Sequence, residues 1–218
     1  MIPRIVRRAA TRLALIAAVC ALPIAGVASA TTPAQASTEM NCQFRDGNRT
    51  PFTAWGDTNQ YFTLVGGQFI ISPAGAGWAL SAGTGIVSGN EPWKVISSTD
   101  SSSLRIPASG SATTQWFCIH PNEPTVRFFA KGPGVKGSQL TITMTAYFQA
   151  TPGAPYGSTP VTSTYTIDGS SSAWAVTPVL ALPQKAGAAG SMVQVKMASS
   201  SAGAWQVDDF EVDPWKSR

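Results

Sequence analysis

Two stretches of this chain combine residue types that can do chemistry. The first is Asp208-Asp209, set within the run Trp205 to Asp213. Trp205 and Val207 share one parity of a strand while Phe210 and Val212 share the other, so the apolar side changes between them. One extra residue at Asp208-Asp209, a β-bulge, returns Phe210 and Val212 to the core side and re-aims both carboxylates. Calcium takes about six to eight oxygens from carboxylates and backbone carbonyls, and a bulged Asp pair offers both kinds. The competing role for the pair is structural, with one Asp accepting backbone N–H bonds at a strand bend and the other solvated. The second stretch is Phe52 to Tyr61, where Trp55, Asp57 and Asn59 place an indole face beside a carboxylate and an amide. That mixture suits a sugar, whose ring stacks on an aromatic face while its hydroxyls meet polar groups. Trp78, Trp93 and Trp116 add further indole surface, although most buried Trp side chains are core plugs whose N–H finds a partner.

Catalytic constellations are thin by comparison. His120 is the one histidine, flanked by Pro121, and a Ser-His-Asp or Cys-His arrangement would have to use it. No Gly-x-Ser-x-Gly turn accompanies it, so a loop role is expected. Glycoside hydrolysis needs two carboxyls at a set separation; Glu91, Glu123, Asp57 and Asp208 are available, but sequence spacing brings no pair together. Gly83-Thr-Gly85 lacks the lysine of a phosphate loop. The residues therefore point to a binding protein and not to an enzyme.

The elements that must position these groups read as strands. Gly, Ser and Pro clusters interrupt the chain so often that helical periodicity has no room, and strand signals recur instead. They fall at Gln60–Val65, Gln68–Ile71, Trp78–Ser81, Trp93–Ser97, Ser103–Ile106, Thr114–Ile119, Thr125–Ala130, Gln139–Phe148, Thr162–Ile167, Ala173–Leu182, Met192–Met197 and Trp205–Asp213. In Gln139–Phe148, Leu140, Ile142, Met144, Ala146 and Phe148 alternate with Thr141, Thr143, Thr145 and Tyr147, a strand with one buried face. Such strands suit antiparallel sheets, because parallel ones need crossover helices. The expected fold is all-β, an antiparallel two-sheet β-sandwich of jelly-roll topology, with a closed barrel as the alternative.

The compartment is legible at the N-terminus. Residues 1–36 divide into an Arg-bearing start, an apolar stretch from Leu13 to Val27 broken by Pro23 and Gly26, and small residues around Ala28-Ser-Ala30 and Ala34-Gln-Ala36. This is the pattern of an export signal cleaved after Ala30 or Ala36, too interrupted for a membrane span. It predicts a single secreted domain over 37–218 with no membrane insertion. Cys42 and Cys118 then remain, an even number in an oxidising compartment, and are expected to pair; two separately buried thiols are the alternative. With one histidine they make no zinc site. The net charge of +4 resides in Arg4, Arg7, Arg8 and Arg12. Beyond them 11 basic residues face 11 acidic ones, so steering toward nucleic acid is not expected.

Trp174 with Thr177-Pro178, Val193-Gln-Val195-Lys196, and Trp205-Gln-Val-Asp-Asp-Phe210 through Pro214 resemble the galactose-binding-like jelly rolls of secreted bacterial carbohydrate-binding modules, over roughly residues 126–214. The resemblance implies a polysaccharide or cell-envelope glycan as partner, sugar-binding loops at one end of the sandwich, and a structural calcium ion to which Asp208 and Asp209 contribute. No other cofactor is expected. An extracellular structural or protein-interaction role without a small ligand is the first alternative; a jelly-roll glycoside hydrolase or lyase is the second.

Overall fold

A computed structural model describes residues 49–119 and 124–215, all within the compact unit Thr32–Arg218. The expected export signal, Cys42, His120 and Glu123 lie outside the described residues. Thirteen strands follow in order: β1 Gln60–Thr63, β2 Ala79–Leu80, β3 Gly85–Ser88, β4 Ser102–Ile106, β5 Ser111–Thr113, β6 Phe117–Ile119, β7 Thr125–Lys131, β8 Gln139–Gln149, β9 Val161–Asp168, β10 Trp174–Val176, β11 Leu180–Ala181, β12 Gly190–Ser199 and β13 Trp205–Trp215. Every pairing between them is antiparallel. A seven-stranded sheet runs β10-β7-β13-β4-β3, with β1 on β13 and β11 on β7. A six-stranded sheet runs β2-β5-β12-β8-β9, with β6 on β12. Neither closes into a barrel, and the chain passes repeatedly from one to the other, as in a jelly-roll sandwich.

The inner faces meet in one core. β7 contributes Val126, Phe128 and Ala130, β8 contributes Leu140 to Phe148 at alternate positions, β12 contributes Val193, Val195 and Met197, and β13 contributes Trp205, Val207, Phe210 and Val212. Trp205 is buried and its indole N–H donates to Ser138 Oγ, while Trp78 donates to the Val65 carbonyl. Both satisfy the polar end of a core indole.

Several expected strands resolve differently. Gln68–Ile71 is a turn: Phe69 is buried in a left-handed conformation (φ 52°) while Ile70 and Ile71 are exposed, so no alternation holds them to a sheet. Trp93–Ser97 is a loop, because Lys94 turns left-handed (φ 52°) and the Glu91 carboxylate accepts the N–H groups of Trp93 and Val95 that a ladder would have used. Ala173–Leu182 splits into β10 and β11 around Pro178, and Thr114–Ile119 shortens to β6. The short strands β3 and β5 carry too little apolar alternation to announce themselves.

The bulge in β13 lies where expected. On β7, Phe129 faces Asp208 and Arg127 faces Glu211, so Phe128 alone opposes Asp209 and Phe210. Asp209 is the extra residue, at φ 47°, and Phe210 and Val212 both return to the core. The bulge also marks a change of neighbour: residues 205–207 pair with β4, whereas 211–215 pair with β1. A loop crosses the gap between those two neighbours, with Phe210 N–H donating to Gly67 O and Leu64 N–H donating to Phe210 O. A Cβ on Gly67 would lie 3.0 Å from the Phe210 carbonyl oxygen and 2.9 Å from that of Leu64, so the crossing needs glycine there.

Candidate functional site

The two outer faces of the sandwich are built in opposite ways. On the seven-stranded sheet, Arg127 and Phe129 of β7 and Asp208, Glu211 and Asp213 of β13 point away from the core, yet all are buried. Residues 51–61 and 90–100 cover them. Phe52, Tyr61 and Phe129 form a second cluster with Trp55, Val95, Trp174 and Val176 packed against it. Phe52 meets Tyr61 edge-on at 4.9 Å, and Trp55 meets Trp93 at 4.8 Å between ring centroids.

Three residues singled out from sequence lie in this cover. Trp55 ends a 3-10 turn, Thr53–Trp55, and is half-buried against Phe129. Asp57 is fully engaged: its Oδ2 accepts from Arg127 Nη1 at 2.8 Å and from the Tyr61 hydroxyl at 2.7 Å, and its Oδ1 accepts the Asn59 N–H at 3.1 Å. Arg127 also donates through Nε to the Thr177 carbonyl and lies 4.9 Å over the Phe52 ring. Burial, aided by the Asp57 carboxylate, holds the Tyr61 hydroxyl protonated far above its ordinary range. Asp57 therefore fastens the cover to the sheet, and its oxygens are committed within the fold. Among the indoles of this region Trp93 is the open one, 44% exposed.

Beneath the same cover lies a chamber of carboxylates. Asp100, Asp208 and Asp209 each place an oxygen within 4.8 Å of the others, and all three are buried. Asp208 accepts the N–H groups of Glu91 and Asp209, and Asp100 Oδ1 accepts that of Ser102. Both oxygens of Asp209 and Oδ2 of Asp100 have no hydrogen-bond partner. Burial, with Asp100 and Glu91 adding repulsion against opposing N–H bonds, pushes Asp208 up to about 8. Burial and the charges of Asp208 and Glu211 push Asp209 up to about 9. Glu211 rises through burial to about 7, held back by its Thr63 bond and by Arg49. Unpartnered buried carboxylate oxygens are costly, and their hard oxygen character matches calcium. The donor set fits that ion, with Asp209 and Asp100 as the residues whose free oxygens would hold it and Asp208 beside them. The expected pair Asp208 and Asp209 is thus brought together, and Asp100 and Glu91 join them from a loop more than 100 residues earlier. Their signal in the sequence was faint: two isolated acids in a chain of few charges.

The outer face of the six-stranded sheet carries a lattice of threonines that is exposed along β9. Thr141, Thr143 and Thr145 of β8 stand opposite Thr166, Thr164 and Thr162 of β9. On the other side of β8 they meet Ala198, Lys196 and Gln194 of β12, and Lys196 in turn faces Thr113 of β5. The β9 threonines and Lys196 are exposed. At one end of this face Trp116 packs on Tyr147 with ring centroids 5.5 Å apart and planes inclined by 59°. Cys118, Met192 and Tyr147 form one cross-strand row there, and the Tyr156 hydroxyl is 3.8 Å from Cys118 Sγ. Gln194 Nε2 donates to the Thr114 carbonyl. Half-buried aromatic rings, amides and hydroxyls thus share one surface.

No protein-family model and no curated protein sequence matches the chain. Similar solved structures include the CBM22-1–GH10 modules of a Clostridium thermocellum endo-1,4-β-D-xylanase complexed with xylohexaose, 13% identical over 72% of this chain and 28% of that one, with a TM-score of 0.46. The module TmCBM61 in complex with β-1,4-galactotriose is 12% identical over 78% of this chain and 99% of that one, with a TM-score of 0.42. A family 16 carbohydrate-binding module is 11% identical over 69% and 99%, with a TM-score of 0.43.

Proposed function

We propose that this is a secreted, non-catalytic glycan-binding protein whose binding surface is the outer face of the six-stranded sheet. The observation that carries the reading is the half-buried Trp116–Tyr147 pair at the end of a lattice of threonine, glutamine and lysine side chains, of which the β9 threonines and Lys196 are exposed. Ring C–H groups of a sugar stack on such aromatic faces, and hydroxyls exchange hydrogen bonds with the threonines and Gln194. The broad, shallow surface suits a chain laid along the strands better than one small molecule held in a pocket. The carboxylates that could serve hydrolysis, Glu91 and Asp208, meet beneath the other sheet's cover, where no sugar reaches them. Calcium bound by Asp100, Asp208 and Asp209 holds the cover closed in this reading and takes no part in sugar contact.

Export and the Cys42–Cys118 disulfide belong to the same proposal. The disulfide would tie the N-terminal segment beside Trp116 and Tyr147 and, on the chain-entropy model, stabilise the fold by roughly 4–5 kcal/mol. Mass measured under reducing and non-reducing conditions checks it; two free thiols in the exported protein would refute it.

The decisive experiment is retention of the mature protein on a panel of insoluble and soluble polysaccharides, with Trp116→Ala and Tyr147→Ala beside it. Binding by the parent and loss in both variants supports the reading. No binding to any polysaccharide, with or without calcium, sinks it. One observation favours protein contact instead: a groove of about 440 Å³ lined by residues 63–66, 68–71, 75 and 76, in which Val65, Ile70 and Ile71 are exposed. Binding to no glycan together with capture of a defined extracellular protein, lost on Ile71→Asp, would favour that role.

A further inference from the structure

We propose that the seven-stranded sheet carries, at the end away from its buried carboxylates, a separate site for the anionic group of an acidic glycan, a carboxylate or a sulfate ester. One cross-strand row runs Trp174 of β10, Lys131 of β7, Gln206 of β13 and Arg105 of β4, each in register with the next. Lys131, Gln206 and Arg105 lie on the outer face, because their neighbours Ala130, Val207, Leu104 and Ile106 are core residues, and Trp174 shares that face by packing against the Phe52, Tyr61 and Phe129 cluster. Adjacent strands are about 4.8 Å apart, so the backbone positions of the two cations are about 10 Å from each other with the Gln206 position between them. They border a cleft of about 270 Å³ lined also by Gly132 and Ser172.

Three features separate this row from an ordinary solvated surface. No carboxylate lines the cleft. Among the described residues the one ion pair is Arg127–Asp57, so neither Arg105 nor Lys131 has an acidic partner. Beyond Arg105 the row ends at Gly85, where a Cβ would meet nothing within 4 Å, so the guanidinium is open on that side. The same sheet face is thus divided, with unpartnered carboxylates buried at one end and unpartnered cations open at the other. Guanidinium and ammonium groups flanking an amide donor match an oxyanion through charge-assisted hydrogen bonds. Trp174 beside Lys131 supplies an aromatic edge for the sugar that bears the anion. A protein neutral beyond its first residues would therefore recognise an acidic sugar by local placement of charge and not by its overall field.

The site shares no residue with the open face of the six-stranded sheet and stands or falls apart from it. The test is affinity electrophoresis of the mature protein in gels containing polygalacturonate, dextran sulfate or unsubstituted dextran. The parent is expected to be retarded by at least one charged polymer; polygalacturonate alone assigns a carboxylate, dextran sulfate alone a sulfate ester, and both the shared oxyanion chemistry. The double variant Arg105→Ala/Lys131→Ala loses that retardation by about tenfold at an unchanged melting temperature. Lys136→Ala/Lys185→Ala removes the same charge from two exposed positions outside the cleft and is expected to leave affinity within about twofold. Equal loss in the two double variants would show diffuse attraction only and overturn the site, as would a parent that neither polyanion retards. Trp116→Ala, run in the same gels, shows whether the open face contributes: retardation kept in Trp116→Ala and lost in Arg105→Ala/Lys131→Ala isolates the cleft.

Discussion

The outer faces of the two sheets descend from similar alternating strands, yet the seven-stranded sheet is sealed over its carboxylate end while the six-stranded sheet leaves its β9 threonines exposed. On the covered face β13 turns Asp208, Glu211 and Asp213 outward into burial, where the covering segments add Asp57, paired with Arg127, and Asp100, whose Oδ2, like both oxygens of Asp209, has no hydrogen-bond partner. On the open face the exposed outward residues of β9 are threonines that water satisfies. The difference teaches that a polar outer face becomes structural when loops cross it and remains available for binding when they do not. Charge scarcity in the sequence fits this division, since most of the acids that exist are spent under the cover.

The largest effect expected from breaking the sealed face is removal of calcium. Chelation leaves several uncompensated buried carboxylates, each costing several kcal/mol, and should lower the melting temperature by roughly 15 °C or more, with Asp209→Ala unresponsive to added calcium. Equal melting in chelator and in excess calcium would exclude the ion from the chamber. The pH dependence has a defined sign. Asp208, Asp209 and Glu211 hold protons more tightly folded, with pKa values of about 8, 9 and 7, than unfolded, where about 4 is usual. In chelator, stability should be greatest below about pH 4 and fall as pH rises through these folded values. Calcium, which competes with those protons, should stabilise most at the upper end of that range.

Next in size is the ion pair that fastens the cover. Arg127→Ala leaves Asp57 buried without its partner and should cost about 3–5 kcal/mol, or roughly 6–20 °C at this chain length, with glycan retention unchanged below the melting transition. A comparable loss of glycan affinity would place sugar contact on the sealed side and blur the distinction between faces.

Trp116→Ala reverses the pattern. It should weaken glycan binding about tenfold through the lost stacking, while Trp93→Ala, which removes a more exposed indole on the other sheet, leaves binding intact; isothermal titration with the best polysaccharide fragment separates the two. The smallest effect belongs to the lattice itself. Thr143→Ala or Thr164→Ala, at a cross-strand pair on the outer face, should move stability by no more than about 0.5 kcal/mol and reduce affinity about twofold.

Local pattern was enough for the strands whose two faces meet different surroundings. β8, with Leu140 to Phe148 inside and threonines outside, and the bulge in β13 follow from parity alone, because a strand with a one-residue insertion must repeat or skip to keep its apolar side inward. Parity also marked Asp208 and Asp209 as re-aimed carboxylates. What it could not supply is distance across the chain. Arg127 meets Asp57 across 70 residues, Asp100 meets Asp208 across more than 100, and Trp116 meets Tyr147 from another strand.

Trp55, Asp57 and Asn59 show the limit most directly. Their types promise a sugar site, but a carboxylate's role depends on what else is buried beside it, and the folded chain puts a guanidinium and a phenol there. Composition and periodicity by themselves determined an all-β antiparallel sandwich and the place of its bulge, because backbone pairing and apolar burial act along a strand. Which outer face is covered, which carboxylates share a chamber and which aromatics stay open were decided by tertiary structure, because electrostatics and access depend on neighbours that the sheets bring together from distant parts of the chain.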